Sequence, residues 1–404
     1  MSQNDASSGI SQGASAGGAF PLFAGALAFF TVMAGATVPT PLYPIYSETY
    51  GFTQLDITII FAVYSTGVIA ALLVAGPWSD RIGRKPVLLT GLAMALAANV
   101  AFIAVDLQAM TMLMVARVLQ GISVGIFTSA ATVAITELAP EGRSKLGSIS
   151  ATAANTGGLG MGPVMAGVIV TALPAALYAP YLLHSVLAIL SVVLLWPVTD
   201  TVEAEASPDL RPQGLTVPSE IRGLFVPAAI SGFSGFMICG FMGSVSPAFM
   251  GQVLGYEGAY ILIGVVAGLI FLTSCLGQIG EQWVPDDKVL PVGMGLMTLG
   301  IAGITVAMML ETLWGLIAAI ALAGIGHGIA FKGGLMALNR DAPEDQVAAV
   351  TATYFTVAYV AISIPVLIIG VLTDPIGLKP SAVGFSLVAT GLSLISFVLI
   401  LRRG

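Results

Sequence analysis

Twelve long apolar runs, separated by short polar breaks, occupy this 404-residue chain from Phe20 onward. Their approximate limits are 20-46, 55-78, 86-105, 109-136, 145-173, 179-198, 222-250, 258-280, 289-309, 312-338, 346-371 and 380-401. A helix needs about 20 apolar residues to cross a hydrocarbon core roughly 30 Å thick. In lipid every backbone N–H and C=O must be satisfied by the chain itself, so only helices and closed barrels span. These runs are continuous rather than alternating, which argues against barrel strands. The fold class predicted is all-α integral membrane, with twelve transmembrane helices. Composition excludes a soluble enzyme: 57% of residues are hydrophobic and 9% charged, against about 45–50% and 25% in soluble domains. With 14 Lys+Arg against 21 Asp+Glu and a net charge of −7, nucleic acid is not an expected partner, since phosphate binding needs clustered positive charge. Cys239 and Cys275 lie far apart in apolar runs, which gives neither a disulfide framework nor a zinc pattern. No cofactor and no metal are predicted.

The basic residues give an orientation. An even number of spans puts both termini on one side. If that side is the cytoplasm, the cytoplasmic segments hold Arg81, Arg84, Lys85, Arg143, Lys145, Arg211, Arg222, Lys288, Arg340, Arg402 and Arg403, eleven of the 14 Lys and Arg. Lys379 falls outside, and Arg117 and Lys332 fall within spans. This asymmetry predicts a multi-pass protein of the cell inner membrane with both termini cytoplasmic. Residues 1-19 are rich in Ser, Gly and Ala, with the acid Asp5 and no Lys or Arg. Lacking the basic start of a secretory signal, they read as a disordered cytoplasmic tail. The longest break, 199-221, carries Asp200, Glu203, Glu205, Pro208, Asp209, Pro212 and Pro218 and reads as a cytoplasmic linker. It divides the chain into six-helix bundles at 20-198 and 222-404. The bundles echo each other: Gly76 and Asp80 match Gly277 and Glu281 at an offset of 201 residues, Gly162-Pro163 has a counterpart in Ile364-Pro365, and Pro41 in Pro247. Two pseudo-symmetric bundles are a transporter plan, with the substrate site at their interface near mid-bilayer.

Three motifs carry chemistry. After the second span comes Gly76-Pro77-Trp78-Ser79-Asp80-Arg81-Ile82-Gly83-Arg84-Lys85-Pro86. Gly76 admits a close helix, Gly83 permits a tight turn, and Asp80 can pair with arginine or face a helix N-terminus. Arg117-Val118-Leu119-Gln120-Gly121 lies in the fourth span. The fifth span holds Gly158-Leu159-Gly160-Met161-Gly162-Pro163 followed by Gly167. Gly158, Gly162 and Ala166 fall at a spacing that allows tight helix packing, and Pro163 removes a donor and bends the helix. A further match, Gly121-Ile122-Ser123-Val124-Gly125, is no nucleophile elbow, because it lies inside an apolar helix.

The first segment resembles the loop signature G-x-x-x-D-R-x-G-R-[KR] of the major facilitator superfamily. The second is similar to that family's R-x-x-Q-G motif. The third is similar to G-x-x-x-G-P-x-x-x-G, typical of the drug/metabolite:proton antiporter branch. The resemblance covers about residues 20-401. It implies a monomer whose loop, with Gly76, Asp80, Arg81, Gly83, Arg84 and Lys85, locks the two halves on the cytoplasmic side when the cavity faces outward. It implies a central cavity lined by the first, fourth, seventh and tenth spans, a bend at Gly158, Gly162, Pro163 and Gly167 that seals the periplasmic side, and a coupling or substrate role for Arg117 with Gln120.

Ionisable groups inside a bilayer are costly and mark function. Arg117 is too deep to be a snorkelling end residue. Lys332 either snorkels or meets an anionic substrate. His327 either packs in the core or handles protons, and His184 reads as structural. The antiporter branch works with an acid in or near the first span, and 20-46 contains none. Asp56, Glu137 and His327 are therefore the candidate proton carriers. Pro39, Pro41 and Pro44 break the first span beside Tyr43 and Tyr46. Those tyrosines either line the substrate path or belong to the interfacial aromatic belt.

The function expected is secondary active transport: proton-coupled efflux of a small organic compound by alternating access, with protons, that compound and the lipid bilayer as partners. The alternative is a proton-coupled uptake symporter for an organic anion or metabolite, held by Arg117 and Lys332. A sensor or scaffold is disfavoured because 199-221 is too short for a signalling domain.

Overall fold

The computed structural model describes residues 17–402 except 77, 207–209 and 213. Residues 1–16 of the expected tail, and Pro77, Pro208, Asp209 and Arg403, thus lie outside the described residues. Twelve membrane helices follow one another: α1 Ala19–Thr37, α2 Gln54–Ala75, α3 Arg84–Ile103, α4 Ala109–Glu137, α5 Ser144–Ala172, α6 Ala179–Leu195, α7 Arg222–Ser244, α8 Tyr260–Gly280, α9 Val289–Met309, α10 Leu313–Asp341, α11 Val347–Ile376 and α12 Leu378–Leu401. Each falls on one of the twelve apolar runs. Eleven are long and apolar enough to cross a membrane, and α6, at 17 residues, is the short one.

Proline sets the path of α1. The helix stops at Thr37, a single 3-10 turn covers Thr40–Leu42, and a short helix runs over Tyr43–Tyr50 to Gly51, whose φ of 70° ends it. Pro39, Pro41 and Pro44 each lack the N–H that an uninterrupted helix would need. α2 then starts on a capping box: Asp56 N donates to Thr53 Oγ1 at 3.2 Å, and Thr53 N donates to the Asp56 carboxylate at 2.9 Å, satisfying donors that a helix start leaves free.

In α5 the irregular stretch is a π turn at Ala153–Gly157, ahead of Pro163 rather than at it. Pro163 orphans the Leu159 carbonyl, which accepts instead from Thr37 Oγ1 of α1 at 2.8 Å. A Cβ on Gly162 would collide with that same Thr37 hydroxyl. The Gly-Pro pair is thus one device: proline frees an acceptor, and glycine makes room for the donor.

The halves are joined unevenly. At the end away from the 76–86 loop, a single apolar core runs through both, from Leu42, Ile60 and Phe102 to Phe241, Ile301 and Val366. At the loop end, called here the basic end, the buried clusters are separate, one around Phe127 and Ile135 in the N-terminal half, against which Phe355 and Tyr359 of α11 pack, and others around Tyr354 and Met294 in the C-terminal half. Between halves, α5 packs on α8 and α2 on α11. Glycines permit the first contact, since a Cβ on Gly264 or Gly268 would strike the Pro163 or Gly160 carbonyl, and one on Gly167 the Tyr260 carbonyl. The small-residue face expected of Gly158 and Gly162 is used against α1, and a second set of glycines on α5, Gly160 and Gly167, meets the other half.

Candidate functional site

At the basic end, a short helix Trp78–Arg81 precedes Gly83, whose φ of 101° makes the predicted tight turn into α3. Asp200, from the segment after α6, accepts from the Arg84 and Lys85 amides at 2.9 and 3.1 Å. It therefore caps α3 across more than a hundred residues, where a carboxylate also suits the helix dipole. A Cβ on Gly83 would collide with that carboxylate. The buried Arg84 guanidinium binds Asp80, Ser79 Oγ at 2.8 Å and both Glu137 oxygens, at 3.1 and 3.3 Å. Glu137 also accepts from Thr201. Lys85 donates to the Trp196 carbonyl and sits 5.8 Å from the centre of the Trp196 ring. Arg81 offers its carbonyl to Glu205 N at 2.8 Å, and Gly76 ends α2. Glu137, a candidate proton carrier, is thus a partner of Arg84. Asp200 and Trp196 were not legible, because no fixed spacing ties them to the loop.

Arg117 is 1% exposed in the middle of α4. Nη1 donates to the Ala36 carbonyl at 2.9 Å and to Gln120 Oε1, Nη2 to the Phe61 carbonyl at 3.3 Å, and Nε to the Ile60 carbonyl at 3.4 Å. The guanidinium carbon lies 4.6 Å from the Tyr64 ring centre and 5.3 Å from that of Phe61, a cation–π arrangement. Gln120 donates to the Gly35 carbonyl. A helix would pair Gly35 with residue 39, which is proline, so Arg117 and Gln120 supply donors to carbonyls that the broken α1 leaves open. Gly121 completes the motif by letting α4 touch α2, where a Cβ would strike the Tyr64 carbonyl.

Asp56 is engaged in the α2 capping box at the far end. Tyr43 and Tyr46 are 2% and 0% exposed, so the aromatic-belt reading does not hold: both face the interior. Tyr46 shares a 2.7 Å hydrogen bond with Tyr181. Tyr43 lines a far-end cavity of about 370 Å³ together with Glu48 and Glu257. His184 has the structural role expected, bonded to Asn99 at 2.9 Å and to the Thr31 carbonyl at 2.9 Å. Lys332 does not snorkel freely. Its Nζ is 3.2 Å from Glu281 and donates to the Gln278 carbonyl at 2.8 Å.

A cavity of about 50 Å³ lies between the halves. Asn155 and Thr156 from the π turn, with Thr128 and Leu159, form its N-terminal wall. Its other wall is Gln278, His327, Tyr359 and four rings, Phe236, Phe271, Phe331 and Phe355, and among the described residues no acidic or basic side chain besides His327 lines it. His327 Nδ1 pairs with Ser274 Oγ at 3.0 Å. The Ser274 hydroxyl has no other acceptor among the described contacts, which places the ring proton on Nε2, and Nε2 is buried without a partner. π turns recur at functional sites, and α5 puts one here.

Twelve apolar helices in two six-helix halves, sharing one core at one end and carrying separate buried clusters at the other, with a small cavity between the halves, define a polytopic membrane transporter rather than an enzyme. The sequence model of the Major Facilitator Superfamily matches residues 25–366, and the chain belongs to that family. A bacterial homolog of the human lysosomal transporter Spinster, in an inward-facing and unoccupied conformation, has the same fold. It superposes with a TM-score of 0.71 at 14% identity, over 95% of this chain and 97% of that one. Its inward-facing, occupied form gives 0.68 at 13% identity, over 94% and 95% of the two chains. Multidrug resistance protein MdtL of a Shewanella species is 37% identical over 83 residues, 20% of either chain. Inner membrane transport protein YnfM of Escherichia coli is 35% identical over 74 residues, 18% of this chain and 17% of the relative. The chain therefore matches about a fifth of the length of these curated relatives.

Proposed function

We propose that this protein is a secondary active transporter that exports a small organic compound in exchange for protons by alternating access. In this reading the basic end faces the cytoplasm, and the chain is a monomer with both termini on that side. The observation that carries it is the split core: shared by both halves at the far end, separate at the basic end, with an aromatic cavity between them. Halves joined this way can rock about their contact and offer the cavity to one side, then the other. The loop with Gly76, Asp80, Arg81, Gly83, Arg84 and Lys85 is proposed as the lock of the basic end. The multidrug resistance name carried by a partial relative supports export.

The uptake alternative needs Arg117 and Lys332 as contacts for an anion. Arg117 is enclosed by carbonyls and rings, Lys332 is held by Glu281, and neither lines the cavity between the halves. Efflux of a compound without negative charge fits the walls better.

The test uses everted vesicles whose imposed proton gradient is followed with acridine orange. Acridone (uncharged), ethidium (cationic) and benzoate (anionic) are the probes. Acridone or ethidium is expected to collapse the gradient in vesicles carrying the protein and to do so less with Asp80→Asn, at unchanged protein level. A response confined to benzoate would establish the anion reading instead.

A further inference from the structure

Among the described residues, Glu281 is the one carboxylate that is buried. Its side chain is 11% exposed and its Oε2 lies 3.2 Å from Lys332 Nζ. Glu281 follows directly on α8, and Lys332 lies in α10. Lys332 also donates to the Gln278 carbonyl at 2.8 Å. The Gln278 side chain donates to Thr156 Oγ1 at 2.9 Å, and Thr156 belongs to the other half. A continuous set of contacts therefore runs from Glu281 through Lys332 and Gln278 to the α5–α8 boundary.

The pair also stands between two spaces. On one side Glu281 lines a cavity of about 860 Å³ at the basic end. The charged groups facing it there are Glu220 before α7, Asp286 and Asp287 before α9, and Arg340 and Asp341 of α10. On the other side Gln278, Thr156 and His327 line the cavity between the halves. A proton can thus reach Glu281 from water at the basic end without crossing the cavity between the halves.

We propose that Glu281 is the site where the proton is bound and released during transport, with Lys332 as the group that senses its charge. The proposal rests on the proton-coupled reading above. With Glu281 ionised, Lys332 has a counter-charge, and α8 and α10 are held together. Protonation removes the counter-charge and leaves the half-buried Lys332 ammonium with the Gln278 carbonyl alone, and removing one partner of a partly buried pair is destabilising. Lys332 then moves toward water or a new partner and releases the Gln278 carbonyl. The Gln278–Thr156 contact between the halves is thereby weakened. Asp56 and Glu137 make no such set of contacts to the other half: one caps a helix at the far end, and the other is bound by Arg84 and Thr201 within one half.

The experiment needs no substrate. Spin labels at Arg143→Cys and Asp345→Cys, in exposed loops of the two halves at the basic end, report the distance between halves in a background where buried Cys239 and Cys275 are replaced by Ala. The expected result is a distance distribution that depends on pH in the labelled background. With Glu281→Gln it should stay at its acid form at every pH, and with Glu281→Asp it should respond again. Should Glu281→Gln fold poorly, Glu281→Gln combined with Lys332→Met removes both charges and should likewise be pH-blind. A retained pH response in either neutral variant overturns the assignment of Glu281. A background protein blind to pH overturns the proton-coupled reading itself.

Discussion

Arg117 Nη1 donates to the carbonyl of Ala36 at 2.9 Å, so a side chain in the middle of α4 completes the hydrogen bonding of the last turn of α1. The deep arginine and the proline-rich end of α1 are therefore one feature rather than two. Proline removes donors from α1, and Arg117 with Gln120 returns them from a neighbouring helix. In a bilayer core no water is present to do the same.

Arg117→Ala should lower stability as well as transport. It leaves the Ala36 carbonyl without its donor, at about 1–3 kcal/mol for a buried group, and Gln120→Leu does the same at Gly35. Arg117→Lys should recover only part, because an ammonium cannot reproduce the fork of donors. Thermal unfolding in detergent checks this. A melting temperature unchanged in Arg117→Ala would mean that the arginine does not brace α1.

The Asp200 cap gives a second expectation. Asp200→Ala should cost about 1 kcal/mol, as for other lost caps. Gly83→Ala should cost more, since its φ of 101° disfavours a side chain and the added Cβ meets Asp200. The two changes together should be less than additive because they touch the same contact. A double-mutant cycle on unfolding midpoints reads the coupling, and strict additivity would count against it.

The α5–α8 seam is the third. A methyl on Gly268 would strike the Gly160 carbonyl of the other half. Gly268→Ala should destabilise by about 1–3 kcal/mol, as overpacking does elsewhere, and should slow transport more than the same change at Gly384, where nothing lies within 4 Å. Equal effects at both positions would remove the special status of the seam.

At the far end, Tyr50 and Tyr178 both donate to Asp106. These two phenols, Tyr178 first, hold the Asp106 carboxyl below its ordinary value. A carboxyl lowered on folding contributes stability that is present above its unfolded value and is lost as pH falls through the lowered one. The melting temperature should thus show no Asp106-dependent change from neutral pH down to the ordinary carboxylate range, and a decline below it that is absent in Asp106→Asn. An identical acid limb in that variant would assign the decline to other carboxylates.

Much of the site was legible one residue at a time. Gly83 as a turn, Arg117 as a deep charge and Gly162-Pro163 as a packing device could each be read because one residue type has few physical reasons to be there. Their partners could not. Asp200 is one of several acids in a polar linker, Glu281 one acid after a span, and Tyr43 one aromatic among many near helix ends. Nothing local separates a tyrosine facing lipid from one facing a neighbouring helix, and burial of Tyr43 and Tyr46 corrects that choice.

Spans, their number and the basic loop follow from hydropathy, which is a running sum along the chain and needs no knowledge of neighbours. Which side of each helix turns inward does not, because lipid and protein interior are alike in apolarity, so the helices are apolar all round. The pairing of Arg117 with α1, of Asp200 with α3 and of Glu281 with Lys332 joins residues from about 50 to more than 110 positions apart. Such contacts exist only once the helices have packed, and the tertiary structure alone decides them.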